Sequence, residues 1–212
     1  MRDDRYPIAC DDDTLDAIKA AMQRSDEEAL ALLDAAVSRH PADARLALLR
    51  GSVYASQGAY PQAFADLSQA VVMAPELYAA RFMLGYLELC HRGAAQAIAV
   101  WHPLTRLGEH EALGDFARGL TLLVTGQPEQ ARAFLQRGLE GNREHPELSP
   151  FVQSLIEKSH EIVAADEPAP VPGFGAVPAA AETDRDTGDG ADEDLGNGSH
   201  LLLGGYLDRR DH

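Results

Sequence analysis

Histidines, cysteines and paired acids are the side chains best suited to binding metals or doing nucleophilic and acid–base chemistry. In this 212-residue chain they do not gather in sequence. The eight histidines fall one at a time, and none is followed at i+3 or i+4 by a second histidine or cysteine. His40 and His145 directly precede prolines, and His200 and His212 lie near the end. His91 and His102 are eleven residues apart, and a zinc site there would need a further ligand that the sequence does not supply. Cys10 and Cys90 are distant from each other and belong to no second pair at metal-ligand spacing, which gives neither a disulfide framework nor a zinc finger. Gly204 and Gly205 lack the flanking pattern of a phosphate loop. The expectation is a protein that is not an enzyme and takes no cofactor and no metal.

Composition sets what could position any site. Ala, Leu, Glu and Gln dominate the first three quarters while Val, Ile and Thr are scarce there, which favours helices over strands and implies an all-α fold. The net charge of −16 argues against nucleic acid or an anionic membrane as the main partner. The charge is uneven, because residues 166–199 supply −8 of it. Acids among the first residues, with no apolar run before Cys10, argue against a secretory leader or lipoprotein anchor, and no run approaches the ~20 apolar residues of a membrane span. A cytoplasmic location is the resulting expectation.

Comparing the chain with itself reveals a period of 34: Gly51, Gly85 and Gly119 recur at that spacing, as do Ala29, Ala63, Ala97 and Ala131. Leu33, Leu67, Trp101 and Leu135 form a third column, Ala36, Ala70, Leu104 and Gly138 a fourth, and Pro41 and Pro75 share the spacing. A repeat of two antiparallel helices explains the columns. The Gly column marks close approach between helices, the Ala column the matching small spot, and the large residues four places on fill the space between. Local signals agree. Ser25 with Glu28 reads as a capping box, and Pro61 and Pro128 suit first helical turns just after the turn glycines Gly58 and Gly126.

These columns resemble the tetratricopeptide repeat family. Residues 44–77 carry the resemblance best, with Gly51, Tyr54, Gly58, Tyr60, Ala63, Leu67, Ala70 and Pro75. Repeats at about 10–43, 78–111 and 112–145 match less fully. Residues 78–111 have Glu88 where an aromatic is expected and carry Pro103, which should kink or shorten the second helix. The resemblance implies a right-handed α-solenoid of about four helix pairs, residues 10–165 in all, after a flexible start at 1–9. A capping helix at about 149–165 would begin with Ser149 as N-cap and Pro150, and bury Phe151, Val152, Leu155, Ile156 and Ile162.

The resemblance also implies that first helices line a concave groove. Its ligand-facing positions fall on Arg45, Leu48, Ser52, Ala55 and Ser56, then on Ala79, Phe82, Tyr86, Leu89 and Cys90, then on Leu113, Phe116, Leu120, Leu123 and Val124. The apolar members, Leu48, Phe82, Tyr86, Leu89, Leu113, Phe116, Leu120, Leu123 and Val124, are the candidate peptide-binding set. The Lys and Arg clamp with which some members grip a terminal carboxylate is missing. Residues 166–199 read as a disordered acidic Pro/Gly/Ala linker. It leads to an apolar motif in 200–212 formed by Leu201, Leu202, Leu203, Tyr206 and Leu207. Function is therefore expected to be that of an adaptor or assembly factor binding another protein or a peptide, with self-association also open. A bacterial secretion-type chaperone and a regulatory subunit of an enzyme complex are the alternatives.

Overall fold

The computed structural model describes residues 9–108 and 111–164. Those residues form an all-α array, without a strand. Helices α1 (Asp12–Met22) and α2 (Asp26–Arg39) make the first pair, and α3 (Ala44–Ser56) and α4 (Tyr60–Met73) the second. The third pair is α5 (Tyr78–His91) with α6 (Ala94–Trp101), and the fourth is α7 (Ala112–Val124) with α8 (Pro128–Gly141). A final helix, α9 (Ser149–Ala164), packs on α8.

Helix boundaries follow from local chemistry. The side chain of Asp11 accepts from the Thr14 amide to cap α1, and Ser25 does the same for α2 by accepting from Glu28. Pro61 and Pro128 stand in the first turns of α4 and α8, where no amide proton is needed. Gly58 and Gly126 turn the chain between paired helices with φ of 72° and 76°. Pro103 acts as expected: α6 has eight residues and gives way to a 3-10 turn at Leu104–Arg106. Ser149 departs from its expected role. It is the first residue of α9 and follows a 3-10 turn at Pro146–Leu148, while its Oγ accepts from Asn142 Nδ2 at 3.1 Å.

The periodic columns become packing. A Cβ on Gly51 would lie 2.9 Å from Leu67, one on Gly85 2.2 Å from Trp101, and one on Gly119 2.5 Å from Leu135. The glycines therefore make room for the large residues of the partner helix, and a Cβ on Gly119 would also lie 3.2 Å from the Ala131 carbonyl oxygen. The alanines Ala29, Ala63, Ala97 and Ala131 are themselves fully buried. Trp101 is sealed in as well, stacking on Phe82 at 6.2 Å and donating from Nε1 to the Phe82 carbonyl at 3.1 Å.

Ion pairs on the buried carboxylates of Asp66 and Asp115 join the helices of the second and fourth pairs, and Arg50 also reaches back to the first pair. Arg50 on α3 donates from Nε to Asp66 on α4 at 2.7 Å and from Nη1 to Asp34 on α2 at 2.9 Å. On α7, Asp115 accepts from Arg118 at 2.6 Å and from Arg137 of α8 at 2.7 Å. Arg118 also donates to the carbonyls of Thr105 and Leu107, which fastens the turn after α6 to α7. None of the helices is long and apolar enough to cross a membrane.

Candidate functional site

The first helices of the second, third and fourth pairs, α3, α5 and α7, touch one another along one side of the array. The candidate peptide-binding residues stand on this row, but most of them do not face solvent. Leu48, Phe82, Leu89, Leu113, Phe116, Leu120 and Leu123 are all buried. Their side chains belong to the hydrophobic core of the array. Phe82 and Phe116, whose rings lie 6.4 Å apart, illustrate the cause, because the step from α5 to α7 is filled by the side chains assigned to the groove. Ser52 is buried too and donates to the Leu49 carbonyl within its own helix. Ala55, Ser56, Tyr86, Cys90 and Val124 remain half-buried and form the accessible part of the row.

Tyr86 marks where α9 reaches this face. Its ring meets Phe151 edge-on, with centroids 5.1 Å apart. Burial pushes the Tyr86 phenol well above its usual range, with Cys90 alongside it. The Cys90 thiol is also raised by burial, against the opposing effect of a hydrogen bond with Tyr86. Neither group is an ionised nucleophile at neutral pH. Val152, Leu155 and Ile156 bury the rest of the described face of α9.

A second cluster escaped the sequence reading. Tyr60 and Phe64, one turn apart on α4, meet the end of α5, where the His91 ring lies 3.8 Å from that of Tyr60 and 6.2 Å from that of Phe64. The Arg92 guanidinium sits 4.1 Å from the centre of the Phe64 ring and donates to Glu88 at 2.9 Å. Loss of solvent lowers the His91 pKa below its ordinary value, so the imidazole packs here as a neutral ring. The i,i+4 aromatic pair was the available signal, but the repeat resemblance of residues 44–77 uses only Tyr60 and leaves Phe64 unassigned. Tyr60 is exposed, as are Leu32 and Val72. The apolar tail set, Leu201, Leu202, Leu203, Tyr206 and Leu207, lies outside the described residues.

Comparison with known proteins bears on this architecture. No curated protein matches the sequence. Two solved structures resemble it, MamA 41-end from Desulfovibrio magneticus RS-1 and a MamA RS-1 ArsTM double mutant. Each is 17% identical with a TM-score of 0.48 over 73% of this chain, and the match covers 98% of the first and 97% of the second. A family model described as tetratricopeptide repeat matches residues 15–78, from the first turn of α1 to the start of α5. Residues 15–78 thus match the tetratricopeptide repeat, and the close packing of a glycine on a large residue recurs beyond them, with Gly85 against Trp101 and Gly119 against Leu135.

Proposed function

We propose that this chain is a protein-interaction adaptor that holds a segment of another protein along the row formed by α3, α5 and α7. The repeat match over residues 15–78 is the observation that carries the reading, since a stack of helix pairs presents one extended face built from successive first helices. The residues that would meet the partner are the half-buried ones, Ala55 and Ser56 on α3, Tyr86 on α5 and Val124 on α7. Leu48, Phe82, Leu113, Phe116 and Leu120 supply a rigid floor beneath them. A preformed floor lowers the ordering cost of docking, so modest contact area can hold a peptide.

Position-specific photo-crosslinking on the full chain tests the assignment without disturbing the core. A crosslinking side chain at Ala55 or Val124 is expected to capture the same partner, whereas one at the exposed Val72 of α4 captures none. Capture only from Tyr60 or Val72 would move the working surface to α4 and overturn the inner-row assignment.

A further inference from the structure

The fold assembles one set of metal-ligating side chains that the sequence keeps thirty residues apart. The Cys10 thiol, an Asp11 carboxylate oxygen and an imidazole nitrogen of His40 all lie within 4.8 Å of one another. We propose that these three residues bind one divalent transition-metal ion of the zinc class, clipping the segment before α1 to the end of α2.

The donor set selects the class of ion. A thiolate, an imidazole and a carboxylate together suit zinc and its borderline neighbours, whereas calcium and magnesium prefer all-oxygen shells. Metal–ligand bonds of roughly 2.0–2.3 Å put the ligand atoms of a tetrahedral site about 3.3–3.8 Å apart. Binding would draw the three ligand atoms in from their observed spacing of up to 4.8 Å. Three protein ligands leave the fourth position to water.

The surroundings are built to hold the ligands in place. The Cys10 amide donates to Asp43 Oδ2 at 2.9 Å, and its carbonyl accepts from Arg45 Nη2 at 3.0 Å. Asp43 and Arg45 are themselves paired at 2.7 Å, so residue 10 is tied on both sides to the start of α3. Asp11 is oriented by its capping bonds, accepting from the Thr14 amide at 2.8 Å and from the Thr14 hydroxyl at 3.0 Å. Each carboxylate oxygen keeps a further lone pair, and such bonds are what fix a ligating carboxylate. His40 closes α2, its amide bonded to the Ala36 carbonyl at 2.8 Å. Asp43 adds negative charge beside Cys10, against Arg39 and Arg45.

Cysteine ligates as its thiolate, whereas a thiol at its ordinary pKa is mostly protonated at pH 7. Binding is then a displacement: the S–H bond breaks, a sulfur–metal bond forms, and the proton passes to buffer with no change of oxidation state. The site would stabilise the fold by the ion's preference for the folded chain.

Titration of the reduced full-length protein with cobalt(II), followed by absorption spectroscopy, tests this directly. The expected result is one cobalt per chain with a thiolate-to-metal charge-transfer band, displaced by zinc, and about one proton released per ion at pH 7. The band should vanish in Cys10→Ser and persist in Cys90→Ser. His40→Gln, at a half-buried position where circular dichroism can verify folding, should weaken binding at least about tenfold. Cobalt binding without the charge-transfer band, as scattered acids would give, overturns the proposal. So does a band that survives Cys10→Ser, or unchanged affinity in His40→Gln.

Discussion

At the residue scale, single atoms set how close the helices can come. Gly85 is the tightest case, because an added methyl would overlap the Trp101 indole and its bond to the Phe82 carbonyl. Trp101 is fully buried and cannot swing away without opening the core between α5 and α6. Gly85→Ala should therefore destabilise the protein by about 3 kcal/mol, seen as a lower urea midpoint. Gly126→Ala separates this effect from backbone strain: its Cβ would meet open space, and only the positive φ is penalised, at roughly 1 kcal/mol. Equal losses at the two sites would show that close approach does not limit this array. Asp115 sets a second local constraint. Burial alone would raise its carboxyl, but the hydrogen bonds from Arg137 and Arg118 outweigh that and hold the pKa below the usual range. A group held low when folded stabilises fully above the unfolded value of about 4, and that contribution is lost as pH falls through the lower, folded value. Urea midpoints should therefore drop as pH falls below about 4, and Asp115→Asn should flatten that part of the profile. A drop of the same size in Asp115→Asn would assign acid sensitivity to other carboxylates.

At the element scale, the question is what each helix needs from its neighbours. The turn following α6 illustrates dependence, since its carbonyls at Thr105 and Leu107 are satisfied by Arg118 of α7. Arg118→Leu removes those donors and one partner of Asp115, which should cost about 3 kcal/mol and raise amide exchange at residues 104–107. Protection there that matches wild type would mean the turn is held by Pro103 and packing alone. Such dependence also explains what could be read beforehand. Helices, their recurrence every 34 residues and the short α6 were legible because Gly51, Ala63, Leu67 and Pro103 each impose a local rule. The accessible face was not. Positions such as Phe82 and Phe116 look identical in sequence whether they line a groove or fill the step between helices, and only the spacing of α5 and α7 decides. The Cys10, Asp11 and His40 cluster was hidden for a related reason: two ligands precede α1 and the third ends α2, so no motif spacing links them. The Tyr60 and His91 contact likewise exists only because α4 and α5 lie side by side.

At the scale of the whole molecule, each helix pair contacts chiefly the pair before and after it, which makes the array close to one-dimensional. Its stability is then a sum of local units and interfaces, and damage should stay near where it is made. Asp115→Ala provides the test. The carboxylate is buried between α7 and α8, and its removal leaves Arg118 and Arg137 facing each other, at a cost of about 3 kcal/mol. In a linear array that cost falls on α7, α8 and the covering α9, while α1 to α4 keep their own contacts, including Arg50 with Asp66 and Asp34. Native-state hydrogen exchange should show faster exchange in residues 112–156 and unchanged protection in residues 12–73. Uniform acceleration along the chain would mean that the four pairs unfold as one cooperative block. The distinction bears on function, because a partner laid across α3, α5 and α7 would bridge the units and remove the difference in protection between the two ends. If the captured partner protects only residues 112–156, it docks on the fourth pair alone and the row is not used as a whole.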